Sequence, residues 1–207
     1  GYAIVENFLT DEELSGALND FDQVVPGWVD FARDPSGPKP HYYNEPFPDQ
    51  RGIPHFPYKG KTLNTLSFHP ELRRFSQMMC EGEDVYCEQS HLSYKASGQG
   101  NFDQAMHCDY GNHNLAYPPD RAKYWQTAFL YYFTDVTPEC GPTAVCSKTH
   151  YPERILVPAG YTREQRPEIY DNEVKVTVPA GSLLIYSMRT FHRGTAITLS
   201  LIHISEP

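Results

Sequence analysis

The apolar and polar positions of the first eighty residues follow the pattern of a short strand and two helices. Residues 2–8, YAIVENF, are rich in β-branched and aromatic side chains and predict a strand. Thr10 and Glu13 have the spacing of a capping box, which predicts a helix that ends near residue 25. A second helix is predicted over residues 70–80, because a proline stands in its first turn and a glycine beyond its end.

Beyond residue 84 the pattern changes to short β-branched and aromatic runs that are separated by Gly and Pro turns. The run VKVTV alternates strictly between apolar and polar positions, as a half-buried strand does. The predicted strands are residues 85–95, 124–133, 174–178 and 182–186. Two helices followed by many short strands favour an antiparallel sandwich or barrel with helices on its outside. We therefore expect one mainly-β domain over residues 1–207.

The segment between the two predicted helices is unusual. Residues 26–60 contain eight prolines, which is too many for a helix, and the segment is long for a simple connection. It is either a tethered surface loop or a lid or wall over an active site, and the sequence leaves both interpretations open.

Composition narrows the class of protein. The net charge is −9 and Lys and Arg do not cluster, which argues against a nucleic-acid surface. No apolar run has the length of a membrane span, and no signal peptide opens the chain. Because the first residue is Gly and not Met, the sequence leaves open whether a targeting segment precedes it. The five cysteines form no CxxC pair, which favours reduced thiols. We expect a cytoplasmic protein that acts on a small molecule, without nucleic-acid or membrane partners.

Three residues are candidates for chemistry. His107 and Asp109 form a His-x-Asp pattern, and side chains two apart on a strand point to one face, so both could reach one ion. This pattern is common by chance, but His192 stands 85 residues further along, just beyond the last predicted strand. Two His and one carboxylate are the facial triad of non-haem Fe(II) oxygenases. Cys108 should point to the opposite face and is not counted as a ligand.

Several segments resemble one known family: GYAIVENFLTDEEL, EQSHLSYK, MHCDYGNH, YYFTDVTPECGPTAVCSKTH and VPAGSLLIYSMRTFHRGTA. In their order and spacing, they resemble the phytanoyl-CoA dioxygenase family of Fe(II)/2-oxoglutarate-dependent oxygenases over nearly the whole chain. The resemblance implies a double-stranded β-helix, the cupin-like jelly roll, with flanking helices.

The resemblance also implies a site and a reaction. His107, Asp109 and His192 would bind Fe(II), and Gln89 either contacts 2-oxoglutarate or is a barrel-lining residue satisfied by its neighbours. Because halogenating relatives lack the carboxylate, Asp109 implies a hydroxylase that uses O2 and 2-oxoglutarate and releases succinate and CO2. The following aromatic residues would line the pocket or fill the core: Tyr131, Tyr132, Phe133 and Tyr186.

The C-terminal end departs from the family. Relatives carry an arginine about ten residues after the distal His, where it binds the far carboxylate of 2-oxoglutarate in a bidentate pair. Residues 199–205 read LSLIHIS, and His203 cannot reproduce that permanently charged fork. Arg193 should point away from the pocket. The ending SLIHISEP resembles a translated sequencing adapter, so we expect the natural chain to differ after about Thr198 and this one to be truncated.

Two other functions remain open on the sequence alone. A non-catalytic metal-binding jelly roll, or a lapsed oxygenase, would fit the missing arginine. A zinc hydrolase could use the same three ligands, but it needs a general base and the chain has no HExxH pattern. The substrate is not determined: the extended signature of ectoine hydroxylases is absent, and the acidic composition weakly disfavours a CoA ester.

Overall fold

The computed structural model describes residues 1–24, 26–27, 30, 55–82, 84–93, 103–109, 126–151 and 160–198. Most of the proline-rich segment and the tail after Thr198 lie outside these residues. The predictions about a lid, a non-native ending and His203 therefore fall outside the described part of the chain.

Within the described residues, the α-helices with defined bounds confirm both helical predictions and add two more. They are α1 Asp11–Val24, α2 Lys61–Ser67, α3 Pro70–Met79 and α4 Pro167–Asp171. The capping box before α1 is formed: the Glu13 amide donates to Thr10 Oγ1 at 3.2 Å, and the Thr10 amide donates to Glu13 Oε2 at 2.9 Å. These two bonds satisfy amides that a helix start leaves without partners, so the local sequence determines where α1 begins.

Helix α2 was not predicted, because its cap comes from another helix. Asp20 of α1 is only 7% exposed, and its Oδ2 accepts from the amides of Thr62 at 2.6 Å and Leu63 at 3.1 Å. Gly60 enters the helix with φ at +100°, and a Cβ there would lie 2.3 Å from the Asp20 carboxyl carbon. Only glycine fits this turn, since its φ is left-handed and the space is already filled.

In the described part of the chain, the strands form two antiparallel three-stranded sheets, ordered β1-β5-β2 and β4-β3-β6. Their bounds are β1 Tyr2–Val5, β2 Thr127–Tyr132, β3 Thr143–Cys146, β4 Glu173–Lys175, β5 Ser182–Ser187 and β6 Phe191–Gly194. The predicted strand at 85–95 is wrong where the chain is described, since residues 84–93 form only an isolated bridge between His91 and His55. Strands β3 and β6 were not predicted.

The two sheets pack together through one apolar interior. Ala128, Leu130 and Tyr132 of β2 point into it beside Leu184 and Tyr186 of β5. The intervening residues of both strands point the other way, towards the helices, which explains why 182–186 is a continuous apolar run. The described strands form two separate antiparallel sheets rather than a closed jelly roll.

This alternation separates the four aromatic residues that the sequence assigned either to a pocket or to the core. Tyr131 and Phe133 face the helix layer instead of the interior, and the Tyr131 hydroxyl donates to the Leu66 carbonyl at 3.1 Å. Tyr132 and Tyr186 do face the interior.

The smaller sheet has its own packed outer face. Cys146 and Phe191 lie opposite each other and join an apolar cluster with Met106, Cys108 and Ile169. The neighbouring pair, Val145 and His192, faces the interior. A shift of one residue in this register would turn Arg193 into the interior and His192 out of it, so the apolar partners of β3 hold the histidine inside. None of the helices in the described residues has the length and hydropathy of a membrane span.

Candidate metal centre

The segment before Asp109 runs along β6 as an additional short antiparallel partner. The Gln104 amide donates to the Gly194 carbonyl at 2.9 Å. Further along, His107 and His192 exchange both of their backbone hydrogen bonds, at 3.0 and 2.9 Å. Residues that exchange both bonds stand directly opposite each other with their side chains on one face of the sheet. The backbone therefore brings together two histidines that are far apart in sequence.

Asp109 completes the group. His192 Nε2 lies 3.1 Å from Asp109 Oδ2, and His107 Nε2 lies 3.6 Å from Asp109 Oδ1. The imidazole rings are 4.5 Å apart, and one potential ligand atom from each of the three residues falls within 4.8 Å of the others. Two ligands at about 2.1 Å from one ion and at right angles lie roughly 3 Å apart, so these separations are close to those of a facial triad.

The hydrogen bonds of the rings test whether the site suits a metal. His107 Nδ1 lies 2.8 Å from the Ala105 carbonyl oxygen, and His192 Nδ1 lies 3.0 Å from the Thr190 carbonyl oxygen. A carbonyl can only accept, so each Nδ1 carries a hydrogen and each ring points its Nε2 atom towards Asp109. Nε2 is therefore the atom of each ring that is placed to ligate a metal, and a second bond from Nδ1 to a carbonyl is typical of metal-ligating histidines. The residues fit a divalent metal.

Cys108 lies on the opposite face, as the sequence predicts. Its side chain is buried in the outer cluster, and its thiol donates to the Arg189 carbonyl at 3.3 Å. Burial, with a contribution from the Asp109 charge, raises the pKa of the thiol to about 12. Because a metal requires the thiolate, this cysteine stays outside the candidate ligand set.

Arg193 also points away from the triad, and the structure gives it a role that the sequence analysis missed. Its guanidinium forms a bidentate pair with Glu173 at 2.8 and 2.8 Å and a third contact to Asp103 at 3.0 Å. The charged Glu173 bonds raise the pKa of Arg193 further. Asp103 also accepts from the Ala196 amide at 2.8 Å. Arg193 thus ties the segment that carries His107 to the strand that carries His192.

Tyr186 contacts two members of the triad. Its ring centroid lies 4.7 Å from that of His192, and its hydroxyl donates to Asp109 Oδ2 at 3.4 Å. The residue is 5% exposed, and burial followed by the Asp109 charge raises the pKa of the phenol strongly. It therefore remains a hydrogen-bond donor. The sequence placed Tyr186 among possible pocket residues, but nothing in the local pattern indicated its partner.

No described contact links Gln89 to His107, Asp109 or His192. Its side chain is exposed, and its amide nitrogen lies 3.5 Å from His91 Nδ1. The nearby Glu88 accepts from the Gln126 side chain at 3.0 Å, which links this segment to the start of β2. A contact between Gln89 and 2-oxoglutarate stays a prediction.

The triad is open on one side. His192 is 9% exposed at its side chain, whereas His107 and Asp109 are 26% and 23% exposed. The interior face is apolar, built from Leu130, Leu184 and their neighbours. A small molecule could therefore reach the candidate metal from the side of His107 and Asp109.

Several solved structures have a similar fold. The α-ketoglutarate-dependent carbocyclase SnoK from nogalamycin biosynthesis matches with a TM-score of 0.62 and 19% identity, over 96% of this chain and 74% of its own. EctD from S. alaskensis, solved with 2-oxoglutarate and 5-hydroxyectoine, gives 0.65 and 16%, over 96% and 67%. The epimerase SnoN, solved with Fe3+, α-ketoglutarate and nogalamycin RO, gives 0.56 and 17%, over 96% and 74%. The TM-scores establish a shared fold, and identities this low establish nothing beyond the fold.

Comparison with curated protein sequences gives no match. The family comparison is decisive, since it spans residues 1–198 and leaves only 199–207 outside. It covers β1, both sheets and all three members of the triad. The resemblance seen in the sequence is confirmed: this chain belongs to the phytanoyl-CoA dioxygenase (PhyH) family, whose members are Fe/2-oxoglutarate-dependent oxygenases.

Proposed function

We propose that the protein is an Fe(II)/2-oxoglutarate-dependent dioxygenase that hydroxylates a C–H bond of a small organic substrate and releases succinate and CO2. The observation that carries this proposal is the triad of His107, Asp109 and His192, with both Nε2 atoms turned towards one carboxylate. A set of two His and one carboxylate fills one face of an octahedral ion and leaves three positions for cosubstrate and oxygen.

In this proposal His107, Asp109 and His192 hold the iron, and the carbonyls of Ala105 and Thr190 hold the two rings in the ligating tautomer. With 2-oxoglutarate bound, the metal supplies the activation of O2. The protein contributes orientation and a dry surface, since Tyr186 is buried against the His192 ring. Cys108 stays protonated on the far face.

The choice of hydroxylation rests on the carboxylate at position 109. A hydroxylase needs a complete triad. The Asp109 carboxylate lies close enough to both histidine Nε2 atoms for all three residues to bind one ion. Solved neighbours include a carbocyclase and an epimerase, so the fold accommodates several outcomes and product analysis must separate them. All five cysteines lie in described residues and none is in a disulfide, which supports a reducing compartment that we propose is the cytoplasm.

A lapsed oxygenase or metal-binding jelly roll is the second candidate. It is favoured by the sequence 199–205, which offers no arginine for the far carboxylate of 2-oxoglutarate. In the oxygenase proposal, Gln89 contributes to cosubstrate binding. The two candidates differ in whether 2-oxoglutarate binds to the iron-loaded protein.

The test is anaerobic titration of the Fe(II)-loaded protein with 2-oxoglutarate, followed by the charge-transfer absorption of the chelate. We expect a band in this chain and none in His192→Ala, while His150→Ala serves as a matched control because His150 is an exposed histidine outside the triad. Succinate formed under air would then identify the oxygenase. Iron binding without either signal would favour the metal-binding protein.

A second arm addresses the C-terminal residues. The same titration would be run on a version in which 199–207 is replaced by a family-like ending that contains the arginine. A band only in that version would mean that the clamp is required for 2-oxoglutarate binding. A band in both would mean that other residues suffice.

A further inference from the structure

We infer that Tyr186 is a positioning residue for the metal ligand Asp109: its hydroxyl orients the carboxylate so that one oxygen ligates and a coordination position stays open. This inference rests on the proposed function and deepens it, because it concerns how the triad keeps its free positions. The observation is the contact of Tyr186 with two of the three candidate ligands at once.

The first step of the argument is the direction of the hydroxyl. Tyr186 projects from β5, which belongs to the other sheet, and its hydroxyl donates to Asp109 Oδ2 at 3.4 Å. This separation is longer than an ordinary O–H···O bond, so the contact adds little to folding by itself. Its effect is directional, since it opposes rotation of the carboxylate about its last torsion.

The second step is the rigidity of the tyrosine. Ala128 of β2 and Tyr2 of β1 are the backbone partners of Tyr186 on either side, which places it on the central strand of its sheet. The ring is 5% exposed and packs against the His192 ring at 4.7 Å with an angle of 51°. A donor on a central strand with a buried ring has little freedom, so the position of its hydroxyl is determined by the sheet.

The third step concerns the ligand count. A carboxylate can bind a metal through one oxygen or through both, and the second mode would occupy a position that cosubstrate or oxygen requires. Asp109 directly follows the bridge between His107 and His192. The Tyr186 hydroxyl approaches its carboxylate from the interior side and can favour one of the two modes.

The variant Tyr186→Phe removes the hydroxyl and keeps the ring against His192. The matched control is Tyr132→Phe, because Tyr132 has a buried hydroxyl in the same interior but touches no member of the triad in the described contacts. Both variants and the unaltered chain would be titrated anaerobically with Co(II), whose visible bands strengthen as its coordination number falls, and the thermal midpoint of the metal-free protein would be measured.

We expect Tyr186→Phe to lose roughly 10-fold in Co(II) affinity, the lower end of what outer partners of metal ligands contribute, and to change the band intensities. Its thermal midpoint and that of Tyr132→Phe should shift equally little, and Tyr132→Phe should keep its affinity and spectrum.

Equal affinity and spectrum in Tyr186→Phe and the unaltered chain would overturn the inference and leave the proposed function intact. A parallel loss of affinity and thermal midpoint in both variants would also overturn it, since general packing would then be responsible. Failure of the unaltered chain to bind Co(II) or Fe(II) would overturn the proposed function and the inference together.

Discussion

His107 and His192 exchange two backbone hydrogen bonds, at 3.0 and 2.9 Å, although 85 residues separate them. The same pairing brings their rings to 4.5 Å and leaves both Nδ1 atoms bonded to carbonyls two residues earlier. The backbone thus determines both the separation of the two histidines and the direction in which each Nε2 points. Metal affinity should therefore depend on the residues that hold this pairing as well as on the ligands.

Replacement of one ligand is the most direct test. Asp109→Ala leaves two neutral imidazoles, and we expect Fe(II) affinity to fall by more than about 100-fold, beyond the range of outer partners. Isothermal titration with Fe(II) under nitrogen measures this. The control is Asp135→Ala, because the Asp135 carboxylate accepts from the Ala180 amide in a turn outside the triad. Unchanged affinity in Asp109→Ala would refute the ligand assignment.

Arg193 should stabilise both the fold and the centre. Its side chain is 8% exposed and paired with Glu173, so Arg193→Met leaves a buried carboxylate without its cation. Removal of one partner of a buried pair costs about 3–5 kcal/mol, and we expect a loss of unfolding free energy near the lower figure. Urea denaturation measures it.

The control for Arg193 is Arg74→Met, since the Arg74–Glu71 pair is 67% and 51% exposed. An exposed pair of this kind contributes about 0–1 kcal/mol, so stability should change little. Similar losses in the two variants would contradict the assigned role of Arg193.

A side chain at Gly141 would meet backbone atoms, whereas a side chain at Gly82, which has a similar φ, would meet none. Its φ is +67°, and a Cβ there would lie 2.6 Å from the Thr195 carbonyl oxygen, just after β6. Gly82 has φ of +81° with open space around it. Both alanine variants incur about 1–2 kcal/mol for the left-handed conformation, and Gly141→Ala should lose about 1–3 kcal/mol more from overpacking. Thermal unfolding of the two variants in parallel gives the difference, and equal losses would show that the contact relaxes freely.

The capping box of α1 should make stability depend on pH. The hydrogen bond from the Thr10 amide is the main cause that lowers the pKa of Glu13 below 4.5. A lowered carboxyl pKa contributes stability that is present at neutral pH and is lost as the pH falls through the folded pKa. Glu13→Gln should therefore reduce unfolding free energy at pH 7 and have a smaller effect near pH 3.

Thr10→Ala tests the other half of the same box. We expect it to cost about 1 kcal/mol at pH 7, the usual loss when a capping hydroxyl is removed. Urea denaturation at both pH values compares the two variants. A pH-independent difference between Glu13→Gln and the unaltered chain would indicate that the carboxylate does not act through its charge.

The elements that local sequence specifies were predicted well. Helix α1 carries its own cap in Thr10 and Glu13, and β5 is an apolar run because helices cover one of its faces and the interior covers the other. The triad could also be proposed from residue types and spacing. The helix cap depends on residues that are close in the chain, and the apolar run depends on burial. Each of these causes produces a recognisable pattern of residue types in the sequence.

Other elements exist only because of distant partners. Helix α2 is capped by Asp20 from α1, and the short β6 is held by β3 and by the segment around His107. The predicted strand at 85–95 fails within the described residues because a pattern of suitable side chains does not supply a partner strand.

The sequence alone determined the family, the ligand residues proposed for the metal and the elements with local signals. Tertiary structure decided which faces meet: that Tyr186 reaches Asp109, that Arg193 joins Asp103 to β6, and that Tyr131 faces the helices. The physical reason is that hydrogen bonds between opposite strands and packing between sheets depend on register, and register is determined only when both partners are in place.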